Sequence, residues 1–279
     1  MKMLLFLRVV GVFICGLLRC FANQLDVYFF NVGQASFTLL KTDERVIVID
    51  CGTKRKTESE VHENMKAFVS RLLGSIKPII FISHMDADHF CGLKDFFPED
   101  KRQEIIIGGL LDENSLIYNE LSKENGNIRF FENKIRGKCN TIKGASIPRT
   151  GETGGVRLFI NDNDKAGQLE VACFFPRENK ATTDRNEQSL MIKVTYAGKN
   201  ILFPGDCSGT LFGKLAHAER FSDFFSNIDV FVFSHHGDGH NGEFDLYTIF
   251  QPPEGQRVPL FAIISSNPEG VNREPLSIR

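Results

Sequence analysis

With 279 residues, 42% of them apolar and 24% charged, the chain is long enough to bury a two-sheet core and too short for two large independent domains. Its 33 basic residues against 35 acidic ones give a formal charge of −2, without the basic surplus usual in nucleic-acid binders. Seven cysteines with no CxxC pair exclude a disulfide scaffold and a zinc knuckle.

Residues 1–22 stand apart. Lys2 and Arg8 precede an apolar stretch from Val9 to Leu18, and Cys20-Phe21-Ala22 offers small residues at the minus-three and minus-one positions of a cleavage site, a pattern that predicts a signal peptide. An uncleaved anchor is the alternative, but the apolar core falls short of the roughly 20 residues a spanning helix requires, so no stable membrane span is expected. Removing Lys2, Arg8 and Arg19 takes the charge to −5, so the expected product is an acidic secreted or periplasmic protein whose single domain covers 23–279.

Three closely spaced runs, Leu25 to Asn31, Ala35 to Lys41 and Arg45 to Asp50, predict an antiparallel meander. Between Glu58 and Leu73 the period changes: Val61, Met65, Phe68, Val69, Leu72 and Leu73 recur at helical spacing and Gly74 closes the helix. A strand over 78–83, a short helix near 90–97, a strand over 104–107 and a helix near 113–121 follow. The Gly-, Lys-, Asn- and Thr-rich residues 132–155 predict a long loop. Further strands are expected at 156–160, 168–175, 188–197, 200–204, 229–234 and 258–265, with helices at 208–217 and near 244–250. Such alternation predicts a four-layer αββα sandwich.

The densest chemistry follows the apolar run Pro78-Ile79-Ile80-Phe81: Ile82-Ser83-His84-Met85-Asp86-Ala87-Asp88-His89 places four metal-capable side chains within six residues. His84 and Asp86, two apart, can point the same way and share one cation, while Asp88 and His89 diverge toward a second. Two imidazoles with two carboxylates favour zinc or manganese over copper, and the histidines disfavour magnesium.

His84-Met85-Asp86-Ala87-Asp88-His89 with Gly92-Leu93 resembles the HxDxDH-x-GGL motif of metallo-β-lactamase-fold hydrolases, in the version found in the soluble domain of ComEC-like DNA-uptake proteins. Other segments agree in order. Asn31-Val32-Gly33-Gln34 resembles that group's DVGQGD, and Val46-Ile47-Val48-Ile49-Asp50-Cys51-Gly52 its LIDGG. Gln188-Ser189-Leu190 to Phe203-Pro204-Gly205-Asp206 resembles NNxSLVL…LLTGD, and Phe233-Ser234-His235-His236-Gly237 resembles VPHHG. The resemblance implies two divalent ions, zinc or manganese, held by His84, Asp86, Asp88, His89, a bridging Asp206 and His235. His235 is preferred to His236 as ligand because it lies nearer the preceding strand. His236, with Asp88, is expected to serve catalysis. Asp50 is expected to orient the loop's imidazoles.

Two departures from the family pattern stand out. No histidine occurs between His89 and His217, so the first ion is short of a protein ligand, for which Asp112 is a better-placed substitute than His217. Glu274 stands where the family usually has a terminal histidine. Cys51, Cys91 and Cys207 sit beside the motifs and are read as space-filling residues in preference to thiolate ligands.

Lys54-Arg55-Lys56 leaves the strand end that carries Asp50 and is a candidate grip for an anionic substrate, as is His240 after the His-His-Gly turn. Together these features predict a secreted metal-dependent hydrolase of phosphodiester or related ester bonds. Its substrate would be a small-molecule or nucleotide-type ester, with polymeric nucleic acid disfavoured by charge. The competing reading is a catalytically impaired metal- or ligand-binding protein on the same fold.

Overall fold

In the computed structural model, the described residues are 24–53, 59–108, 128–130, 159–161, 169–174, 184–218, 222–237 and 261–263. The expected signal segment, the 113–121 and 244–250 helices, Asp112, Lys54-Arg55-Lys56, His240 and Glu274 lie outside them.

The first half builds one six-stranded sheet in sequence order. Its strands are β1 (Asp26–Phe29), β2 (Phe37–Lys41), β3 (Val46–Cys51), β4 (Ile79–Ile82), β5 (Glu104–Ile107) and β6 (Ile128–Phe130). β1, β2 and β3 form the expected antiparallel meander, and β3 to β6 continue in parallel. The second half builds a sheet of order β12-β11-β10-β9-β8-β7, from β7 (Phe159–Asn161), β8 (Glu170–Phe174), β9 (Met191–Tyr196), β10 (Lys199–Phe203), β11 (Val230–Val232) and β12 (Phe261–Ile263). Here β7 to β10 are antiparallel and β10 to β12 parallel.

Helices flank both sheets: α1 (Glu60–Leu73), α2 (Ala87–Phe90) and α3 (Leu93–Phe96) belong to the first half, α4 (Gly209–Ala216) and α5 (Ser222–Phe225) to the second. Ser59 caps α1 by accepting from the His62 N–H, and Ser208 caps α4 by accepting from Leu211 N–H. Parallel strands need crossover connections, and α1 supplies the one from β3 to β4.

Strand alternation shows why four layers form. Val46 and Val48 face one way, into a core shared with Val69, Leu73 and Phe96; Ile47 and Ile49 face the other way, toward Val171, Ile192 and Val194 of the second sheet. β4 repeats the split, with Ile80 and Ile82 toward the helices and Ile79 and Phe81 between the sheets. In the second sheet Leu202 and Phe231 pack outward on Phe212 and Phe225, while Phe203 and Val232 pack inward. Three cores therefore lie between four layers, the αββα sandwich. Fully burying one such side chain contributes roughly 1.5–3 kcal/mol.

The expected short helix near 90–97 is instead two single turns, α2 beginning inside the ligand loop. β6 and α5 had no counterpart in the sequence reading.

Candidate metal centre

Four parallel strands point their C-terminal ends at one place, the usual position for a site in such sheets. β3 carries Asp50 as its penultimate residue, β4 leads into Ser83 and His84, β10 leads into Asp206, and β11 leads into the 3-10 turn Ser234–Gly237 that carries His236.

Asp206 is the centre of the cluster. Its Oδ2 lies 3.2 Å from His89 Nε2, 3.8 Å from His236 Nε2 and 3.9 Å from His84 Nε2. Asp88 Oδ2 lies 3.7 Å from His236 Nε2, and Asp86 Oδ2 lies 3.6 Å from His84 Nε2. Two overlapping donor sets result, His84/His89/Asp206 and Asp88/His89/His236, with one ligand atom from each residue inside 4.8 Å of the others.

The residues behind the cluster fix how the imidazoles present themselves. Asp50 accepts from Ser83 N–H at 2.7 Å, from Ser83 Oγ–H at 3.0 Å and from His89 Nδ1–H at 2.8 Å. Because the Ser83 hydroxyl spends its proton on Asp50, its oxygen is an acceptor for His84 Nδ1–H, 3.1 Å away. One carboxylate thus engages the Nδ1–H side of both histidines and turns both Nε2 atoms toward the cluster, each able to offer its lone pair once it gives up any proton. Those two atoms are buried and make no hydrogen bond, a costly arrangement in a protein interior unless a cation meets them. The donor set therefore fits divalent metal: imidazole nitrogens and carboxylate oxygens converge on one place.

Charge follows geometry. Burial alone would raise the Asp206 pKa, but His89, His84 and His236 outweigh it and hold the carboxyl far below the usual range. Burial alone would lower that of His89, yet Asp206 and Asp50 raise it well above the ordinary histidine value. Asp86 is held down at about 2, chiefly by its contact with His84 and further by Arg185, whose Nη1 donates to Asp86 Oδ1 at 3.2 Å.

Close backbone packing holds the loop. Ser36 N–H donates to the Asp88 carbonyl at 3.0 Å, and Gly52 N–H donates to the Ser36 carbonyl at 2.8 Å. A Cβ on Gly52 would stand 1.5 Å from that Asp88 carbonyl oxygen, so only glycine fits after Asp50-Cys51. Gly205 adopts φ 63°, and a Cβ there would meet Ser189 Cβ at 2.6 Å. Ser189 Oγ in turn accepts from Asp206 N–H at 2.9 Å. A narrow cavity beside the cluster is walled on one side by Ile49, Leu190, Ile192, Phe203 and Val232 and on the other by Asp50, Ser83, His89, Asp206 and His236, so the charged groups lie against apolar side chains.

The structure brings His84, Asp86, Asp88, His89, Asp206 and Asp50 together. It also brings in His236, to which the sequence reading gave a catalytic role in preference to a ligand's. His236 has φ 53° in its 3-10 turn, and its Nε2 faces Asp206 and Asp88. The side chain of His235 lies outside the described residues. His217 is exposed at the C-terminus of α4, away from any ligand group found among the described residues. Cys51 and Cys207 are buried in the two helix-facing cores, where burial pushes both thiols up. Cys91 Sγ donates to the Thr53 carbonyl at 3.0 Å. Arg185 was missed by the sequence reading; its place three residues before the Gln188-Ser189-Leu190 motif was the one available signal.

No helix among the described residues is long and apolar enough to cross a membrane. No curated protein matches the chain. Among solved structures, one described as "a New Diphosphatase from the PhnP Family" aligns at 10% identity and a TM-score of 0.32, covering 72% of this chain; the chain spans 60% of that protein's length. Residues 30–238 match the metallo-beta-lactamase superfamily, a span that holds all the clustered side chains and the strands from β2 to β11. The chain therefore belongs to the metallo-beta-lactamase superfamily.

Proposed function

We propose that the protein is a secreted hydrolase of phosphodiester or related ester bonds in small-molecule or nucleotide-type substrates, working with two divalent ions, zinc or manganese. Family membership supports metal-dependent hydrolysis in general. The observation that carries the two-ion reading is the convergence of His84, His89 and His236 Nε2 atoms on Asp206 Oδ2, with Asp86 and Asp88 on either side. His84, Asp86 and Asp206 would hold one ion; Asp88, His89, His236 and the second contact of Asp206 would hold the other. Bound there, divalent ions supply Lewis-acid polarisation of the scissile group and acidify water enough for attack near neutral pH.

The chain's own residues do the rest. Asp206 keeps its negative charge at the centre, offering one carboxylate to both positions. Asp50 and Ser83 hold the imidazoles with Nε2 facing the cluster, so no rearrangement of the rings is needed when substrate arrives. Asp88, a quarter exposed, is the carboxylate placed to accept the proton of the attacking water. No serine or cysteine nucleophile is required.

The phosphodiester preference and the ComEC-like subgroup rest on the motifs quoted above and on Lys54-Arg55-Lys56 following Thr53. Fold alone hosts many chemistries and does not choose among them. The acidic charge after loss of residues 1–22 favours small esters over polymeric nucleic acid. A second reading, a metal-binding protein without turnover, is favoured by the absence of any histidine between His89 and His217, which leaves the first position with a single imidazole of its own. Metal content combined with a substrate panel separates them. Two ions per chain and hydrolysis of bis-p-nitrophenyl phosphate support the hydrolase; one ion or none, with no turnover of phosphodiester, ester, lactone or lactam, supports the binder.

A further inference from the structure

We propose that Ser189 is a positioning residue of the metal centre: its buried hydroxyl holds Asp206, from the second sheet, against His84, from the first. The inference rests on the two-ion reading above and deepens it, since Ser189 acts through two ligand residues and is not one itself.

The first ion's position is split between the halves of the chain. His84 follows β4 of one sheet and Asp206 follows β10 of the other, and their Nε2 and Oδ2 atoms stand 3.9 Å apart. Between the sheets lies an apolar core, which presses the layers together without direction and so does not fix two ligands to a fraction of an ångström. Directional contacts must do that.

Those contacts meet at Ser189, which stands two residues before Met191, the first residue of β9, and is wholly buried. Its Oγ accepts from Asp206 N–H at 2.9 Å and lies 3.4 Å from His84 Nδ1. The second contact is long, so Ser83 Oγ at 3.1 Å is the main acceptor of His84, and Ser189 closes the other side of the same ring nitrogen. The next residue repeats the crossing, because Leu190 N–H donates to the Ser83 carbonyl at 2.7 Å. Glycines let the segments come this near. A Cβ on Gly205 would stand 2.6 Å from Ser189 Cβ and 3.0 Å from Ser83 Cβ, and one on Gly108 would stand 2.3 Å from Leu190 Cβ and 2.4 Å from the Ser83 carbonyl oxygen.

A hydroxyl is the group this seam requires. Its oxygen has two lone pairs, one for each neighbour, and it is small enough to sit against Gly205. Alanine would take the acceptor away from the buried Asp206 N–H and open a gap beside His84 Nδ1. The ligands would remain, no longer held at one separation.

The test compares the full chain with Ser189→Ala by zinc affinity against a chromophoric chelator, by the visible absorption of the cobalt(II)-loaded protein and by thermal unfolding. Val194→Ala, which opens the inter-sheet core within β9 where no ligand is carried, is the control for lost stability alone. Ser189→Ala should bind zinc about 10–100-fold more weakly and show an altered cobalt spectrum. Val194→Ala should unfold at a lower temperature and keep the parent's affinity and spectrum. In the metal-free parent the Asp206 amide, bonded to Ser189, should exchange slowly with deuterium. An affinity and spectrum unchanged in Ser189→Ala, or moved equally by Val194→Ala, would overturn the positioning role and leave the metal centre standing. So would an Asp206 amide that exchanges as fast as an exposed one, a reading that does not depend on the variant folding. A parent that takes up neither zinc nor cobalt would overturn the two-ion reading and this inference with it.

Discussion

Asp50 Oδ2 lies 2.8 Å from His89 Nδ1, closer than any contact His89 makes with the site residues it faces. Asp50 sits in the left-handed region at φ 55°, a conformation that Asp and Asn tolerate better than other non-glycine residues. The turn aims its carboxylate at Ser83 and His89 together, and through Ser83 it sets His84 as well.

Asp50→Asn therefore isolates charge from backbone geometry. It keeps the positive φ accessible and removes the anion that stabilises the two Nδ1–H tautomers. Affinity for zinc should fall about 10–100-fold with little change in secondary structure. Competition against a chromophoric chelator measures it; an unchanged affinity would mean the imidazoles are oriented by packing instead.

Gly52→Ala tests the backbone lock behind the ligand loop. Its Cβ would overlap the Asp88 carbonyl, a backbone atom that cannot swing aside. We expect destabilisation of about 2–3 kcal/mol together with loss of bound metal, read by thermal unfolding and metal content on the same sample. A variant that keeps both would show that the β3 end and the loop separate freely.

Much of this was legible in the chain. β2, β3 and β4 are apolar runs of four to six residues bounded by turn residues, and the ligand loop follows β4 directly, so position and chemistry were written together. β6 was not, because Ile128–Phe130 is three residues whose strand character comes from pairing with β5. That His236 faces Asp206 depends on a 3-10 turn whose side-chain directions adjacent letters do not encode. Arg185 left no periodic trace, since its partner is 99 residues distant.

Proton release gives a pH signature. His89 has its pKa raised well above the usual value in the metal-free chain, so near pH 7 it holds a proton that metal must displace. Zinc binding should release about one proton from this site at pH 7, and affinity should fall as pH falls, by up to about ten-fold per unit for each proton displaced. Calorimetric titrations in buffers of different ionisation enthalpy read this directly. A binding heat independent of buffer would contradict the coupled charge at His89.

Substrate charge is tested at Lys54-Arg55-Lys56. Neutralising all three should raise KM for a phosphodiester and flatten its salt dependence, leaving a neutral ester nearly unaffected. Equal turnover of both substrates by the triple variant and the parent would move the proposal toward an uncharged ester or amide bond.

The central claim is that Asp206 and the three imidazoles around it form a two-ion centre. Equilibrium dialysis of the full chain and of His236→Ala against zinc, with metal counted per chain, tests it most directly. The account predicts two ions for the parent and one for His236→Ala. A parent that holds no zinc, or a His236→Ala variant that still holds two ions, would contradict it.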